Sequence, residues 1–149
     1  MTRASPETAA QIAEGAVTFV QRKFGIELPY NPPSLILVDA ILDKIRATGA
    51  SEHQASGLLL GLGCYVGEVL VRNARASWRL TAQVKMAKEC RFAIVAVLTG
   101  GVACDPIGKV FERFTGEATP DLAEFYQTTL EPARRCPTPP GASQEGKLD

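Results

Sequence analysis

From Gly57 to Val71 the chain carries one charged side chain, Glu68, in fifteen residues. The charge-free stretch before it, Gln54 to Gly67, is fourteen residues long. A bilayer crossing needs about 20 apolar residues, so this segment is read as a buried helix. A helix apolar on most of its faces must be surrounded by other elements of its own domain. Ser51 and Gln54 fit a capping box at its start, and the pattern runs to about Asn73.

The rest of the chain supplies elements to surround it. Ser5-Pro6 reads as an N-cap followed by proline at the first helical position. Ile12, Ala13, Ala16, Phe19 and Val20 then share one helical face, which Gly25 closes. Leu28 to Pro33 holds three prolines and is read as a stiff connector. A second helix from Ser34 to Gly49 turns Leu35, Val38, Ile41, Leu42 and Ile45 inward, with Asp39 and Asp43 on its solvated side. After the long helix the period changes to two. Trp78, Leu80, Ala82, Val84 and Met86 alternate with polar residues, as in a half-buried strand. Phe92 to Leu98 forms a second strand, and Thr99-Gly100-Gly101 turns it into a short third, Val102 to Cys104. Asp105-Pro106 caps a fourth helix that buries Ile107, Val110, Phe111 and Phe114. Thr119-Pro120-Asp121 starts a fifth that buries Leu122, Phe125 and Tyr126, and Pro132 is expected to stop it.

These elements predict an α+β fold: three leading helices, an antiparallel sheet of about three strands, and two short C-terminal helices. One domain over residues 1–132 is expected, followed by a flexible Pro- and Gly-rich tail over 133–149.

The best candidate for a functional surface lies on the long helix. Gly57, Gly61, Cys64 and Glu68 are spaced four, three and four apart, a single stripe. Each mid-helix glycine costs about 1 kcal/mol relative to alanine, so several of them need a reason. Close approach of a second backbone is one. A shallow groove anchored by Glu68 is the other. Binding residues, if that groove exists, are Gly61, Cys64, Tyr65, Glu68 and Arg72. Glu68 also stands four residues before Arg72, the favourable order for a helical ion pair.

The run Gly63-Cys64-Tyr65-Val66-Gly67-Glu68-Val69, then Trp78 opening a strand, then a hairpin feeding Asp105-Pro106-Ile107-Gly108-Lys109-Val110-Phe111, resembles small bacterial proteins grouped only as domains of unknown function. The resemblance covers roughly Ser34 to Gln127. It implies an α+β fold and a bacterial source, and it brings no catalytic residues. Those families often read Asn-Pro where this chain has Asp105-Pro106.

Several function classes lose support. Sixteen basic and sixteen acidic residues cancel, so no overall field draws in nucleic acid or an anionic membrane. Six basic residues against one acidic between Arg72 and Arg91 are read as a solvated face, because Trp78 is the only aromatic residue there and points inward. Cys64, Cys90, Cys104 and Cys136 form no C-x-x-C pair and only one histidine accompanies them, so no metal and no cofactor are expected. His53 and Cys64 lie about 16.5 Å apart along a helix, too far for a nucleophile and its base. With Gly100-Gly101 as a two-residue turn, Cys104 falls opposite Val97, away from Cys90, and all four thiols are expected free in the cytoplasm. The function expected is a non-catalytic binding or protein-interaction module. Its partner would be another protein or a small ligand, not nucleic acid or a membrane, and a homodimer is allowed. The alternatives are a small enzyme using Glu68 as general acid or base, and an immunity- or antitoxin-like protein.

Overall fold

A computed structural model describes residues 4–84, 92–116 and 121–135. The element order is α1 (Ala9–Phe24), α2 (Ser34–Ala47), α3 (Glu52–Ala74), β1 (Ser77–Leu80), β2 (Ile94–Val97), β3 (Ala103–Cys104), α4 (Pro106–Thr115) and α5 (Leu122–Arg135). The fold is α+β. The three strands form one antiparallel sheet in the order β1-β2-β3.

The charge-poor helix is the axis of the molecule. Every residue of α3 from Gly61 to Leu70 is buried. By length and composition α3 could cross a membrane, but its own chain buries 67% of the apolar window. Ser51 Oγ accepts from the Gln54 N–H at 3.1 Å and Gln54 Oε1 accepts from the Ser51 N–H at 2.8 Å, closing the capping box. Three glycines let three different elements reach the helix. A Cβ on Gly61 would lie 2.8 Å from the Ala16 Cβ of α1, and one on Gly63 would lie 2.6 Å from the Ile107 Cα of α4. At Gly67 a Cβ would collide with the Trp78 ring of β1. Gly63 and Gly67 lie off the stripe read from the sequence, and Gly57, on that stripe, meets nothing within 4 Å. The small residues serve several faces, not one, because each neighbour approaches from its own direction.

The predicted first strand stops early. Alternation from Trp78 to Met86 gave an element of about ten residues, but β1 ends at Leu80 and a 3-10 turn, Thr81–Gln83, follows. Leu80 is 41% exposed while Thr81 is buried. The Thr81 N–H donates to the Ala93 carbonyl at 2.7 Å and its hydroxyl to the Phe92 carbonyl at 2.7 Å. These bonds pull Thr81 inward and turn the chain out of the sheet. Met86 and Cys90 lie outside the described residues, as do Lys85, Lys88 and Arg91 of the basic segment.

The hairpin register also differs by one. The Gly101 N–H donates to the Leu98 carbonyl at 2.9 Å, and the Leu98 N–H donates to the Val102 carbonyl at 2.8 Å. The loop is therefore three residues, Thr99-Gly100-Gly101, with Gly101 at φ +89°. A type I turn followed by a left-handed glycine suits the strand twist as well as a two-residue turn does. Cys104 consequently faces Ala96, not Val97. Cys64 and Cys104 are buried free thiols; Cys90 and Cys136 lie outside the described residues.

Two helix faces depart from their periodic reading. Phe19 of α1 is 46% exposed, beside a buried face made of Ala9, Ala13, Ala16 and Val20. Asp39 of α2 is buried, not solvated. Its two carboxylate oxygens accept from the Leu122 N–H at 3.1 Å each, and its Oδ1 also accepts from Arg113 Nε at 3.1 Å. Asp39 thereby satisfies a free N–H at the first turn of α5, as a capping residue would. The α5 helix also runs three residues past Pro132. Proline's fixed φ is itself helical, and the lost ladder bond and the ring's clash with the preceding turn can kink a helix without ending it.

Candidate functional site

The loop between α1 and α2 lies against the middle of α3 through a buried polar cluster. Tyr65 is fully buried, and its hydroxyl lies 2.6 Å from Ser34 Oγ while accepting from the Tyr30 N–H at 2.9 Å. Tyr30 adopts φ +59°, a left-handed conformation that is costly for a bulky residue. Four contacts hold it there. Its N–H bonds to Tyr65, its carbonyl accepts from Asn73 Nδ2 at 2.9 Å, and its ring lies 4.7 Å from that of Tyr65. The Arg72 guanidinium covers the Tyr30 ring at 3.7 Å. Burial pushes the Tyr30 phenol up to about 12, with the Glu14 charge adding to the effect.

Arg72 continues this cluster to Glu68. Its Nε donates to Glu68 Oε1 at 3.2 Å, and Trp78 Nε1 donates to Glu68 Oε2 at 2.9 Å. Glu68 is 5% exposed. Both its oxygens are engaged and the carboxylate is packed between α3 and β1, so among the described residues Glu68 is sealed in an interface and does not anchor an open groove. Cys64 lies inside the same helix, fully buried, its thiol pushed up to about 12 by burial first and the Glu68 charge second. A thiol so protonated is a poor nucleophile. His53 is exposed in the first turn of α3, apart from Cys64 as expected.

The five residues singled out from the sequence thus divide. Tyr65, Glu68 and Arg72 belong to one polar cluster, two hydrogen-bonded groups joined by the Arg72 guanidinium over the Tyr30 ring, that ties a strained loop and a strand to α3. Cys64 is packed beside them. Gly61 belongs elsewhere. It backs onto Ala16 and borders an open groove of about 450 Å³ between α1 and the first half of α3. Ile12, Gly15, Phe19, Gln54, Gly57 and Leu58 complete its walls. Gly15 and Gly57 leave its floor without side chains, and a Cβ at either would meet nothing within 4 Å.

Sequence reasoning placed Phe19 in the core and gave Gly15 no role. One signal was available: Gly15 and Phe19 stand four apart on α1, as Gly57 and Gly61 do on α3, so a hole and a large ring share a face. Among the described residues no group of three His, Cys, Asp or Glu side chains is placed to hold a metal ion. No family model matches the chain, and no curated protein or solved structure matches it.

Proposed function

We propose that this protein is a non-catalytic protein-interaction module and that the groove between α1 and α3 is its binding surface. The observation that carries this reading is a groove with a glycine floor and an exposed aromatic wall. Phe19, 46% exposed, lines the groove together with Gly15 and Gly57, on a chain whose other five phenylalanines are buried or half-buried. Apolar concavities of this kind on a folded surface mark sites of association. The enzyme reading with Glu68 as acid or base is weaker, because Trp78 and Arg72 already occupy both oxygens. Cytoplasmic residence is part of the reading, supported by the reduced thiols at Cys64 and Cys104. So is kinship with the bacterial domains of unknown function, supported by the motif from Gly63 to Val69.

The test uses two positions where bulk can be added without touching the fold. Gly15→Leu and Gly57→Leu together fill the groove, since both Cβ sites are open. Anilinonaphthalene sulfonate, titrated into dilute native protein, is expected to brighten with the parent and not with the double variant. Parent protein that leaves the dye dark at concentrations where it is monomeric, or a filled variant that brightens it equally, would sink the groove as a binding surface.

A further inference from the structure

We infer that the groove's occupant is a second copy of this chain, seated antiparallel so that α1 packs on α1 about a two-fold axis. The inference rests on the groove reading above and deepens it. Two independent features of α1 are self-complementary.

The first is shape. Phe19 is a projecting ring and Gly15 an empty floor position, four residues apart on one stripe of α1. A two-fold axis at Val17 places each copy's Phe19 opposite the second copy's Gly15. An isologous contact needs a knob and its hole on the same patch, and this patch has both. Gly57 widens the hole from the α3 side, and Ile12 and Leu58 supply apolar walls to receive the ring.

The second is charge. The acids of α1 and its lead-in, Glu7 and Glu14, lie in the N-terminal half, and the bases, Arg22 and Lys23, in the last turn. Glu14, Thr18 and Arg22 follow one another at helical spacing on the stripe beside Gly15 and Phe19, and all three are exposed. With the axis at Val17 the second copy's Arg22 lies two residues, about 3 Å, past exact register with Glu14, a span that the two long side chains bridge. A parallel arrangement would instead set Glu14 against Glu14 and Arg22 against Arg22. Complementary charge of this kind fixes orientation more than it adds affinity. The chain's formal charge of zero leaves no net repulsion between copies.

Sedimentation equilibrium over a wide concentration range tests this. The parent is expected to dimerise, more weakly as salt rises. Phe19→Ala is expected to raise the dissociation constant by about tenfold or more, as loss of a central aromatic anchor does. Glu14→Arg and Arg22→Glu should each weaken the dimer, and the two reversals in one chain should restore it, because each copy then again presents opposite charges to the other. All these positions are exposed, and unchanged circular dichroism verifies that the variants fold. A parent that stays monomeric at the highest concentrations, or a dimer indifferent to the single reversals, overturns the second copy as occupant. If the monomer still brightens anilinonaphthalene sulfonate through the groove, only this inference fails and the interaction-module reading stands; if neither is seen, both fall.

Discussion

Trp78 Nε1 donates to Glu68 Oε2 at 2.9 Å, and the six-membered ring of the same indole fills the space where Gly67 has no side chain. One aromatic residue on a four-residue strand thus meets two consecutive residues of α3, Gly67 through its six-membered ring and Glu68 through its N–H. The sheet joins the helical body at this point.

Trp78→Phe keeps the ring and removes the donor, leaving a buried carboxylate oxygen without a partner. Such groups cost about 1–3 kcal/mol, and more when charged. Urea unfolding should show a loss in at least that range. Glu68→Gln should lose a similar amount, because an amide presents only one acceptor to two donors. A Trp78→Phe variant as stable as the parent would show that the hydrogen bond is not made in solution.

Gly61 and Gly57 should respond oppositely to alanine. At Gly57 the new methyl meets nothing, so the variant should gain about 1 kcal/mol of helix propensity. At Gly61 it would press on Ala16 from 2.8 Å, and Ala16 is fixed to the α1 backbone. Overpacking of this kind costs about 1–3 kcal/mol, which cancels or exceeds the propensity gain. Ala16→Gly should cost less in the Gly61→Ala background than in the parent, because only there does it also relieve the clash. Equal stabilisation at both glycines would mean α1 stands farther from α3.

Asp39 gives a pH dependence of definite sign. Desolvation raises its carboxyl above the ordinary value of 3.8, outweighing the Leu122 N–H and the Arg113 charge that favour the anion. The folded state therefore holds this proton more tightly than the unfolded chain does. Asp39's contribution to stability is largest below 3.8 and falls as pH rises through the raised folded value. Against Asp39→Asn, which retains an acceptor for Leu122, the parent's thermal midpoint should decline over that interval. A parent that gains on the variant there would reverse the assignment.

Cys64 and Cys104 should resist modification. Burial pushes both thiols up to about 12. At pH 8 only about one in ten thousand would be thiolate, the nucleophilic form. In a Cys90→Ser/Cys136→Ser variant, an aromatic disulfide reagent should find no reactive thiol in native protein within minutes. It should find two after denaturation. Rapid labelling of the native variant would show that these interiors open readily.

The sequence by itself determined the order and kind of the elements. A capping box at Ser51, a fourteen-residue stretch without charge, and apolar residues at helical spacing from Ile107 to Phe114 are local signals. Local sterics and burial periodicity answer to them directly. The Glu68–Arg72 pair was legible for the same reason, being one helical turn long. Tertiary structure decided what each local signal was used for. Asp39 sits on the polar side of α2 by periodicity, yet α5 arrives from 83 residues away and turns it into a cap. Phe19 falls on the apolar side of α1, yet Gly61 of α3 lets Ala16 approach so closely that the ring is left at the groove's edge. Tyr30 takes a left-handed backbone because Tyr65, Arg72 and Asn73, none of them near in sequence, together offset its strain. Periodicity states which side of an element is apolar; how near the next element lies depends on side-chain volumes from both, and that sum exists only once the chain has packed.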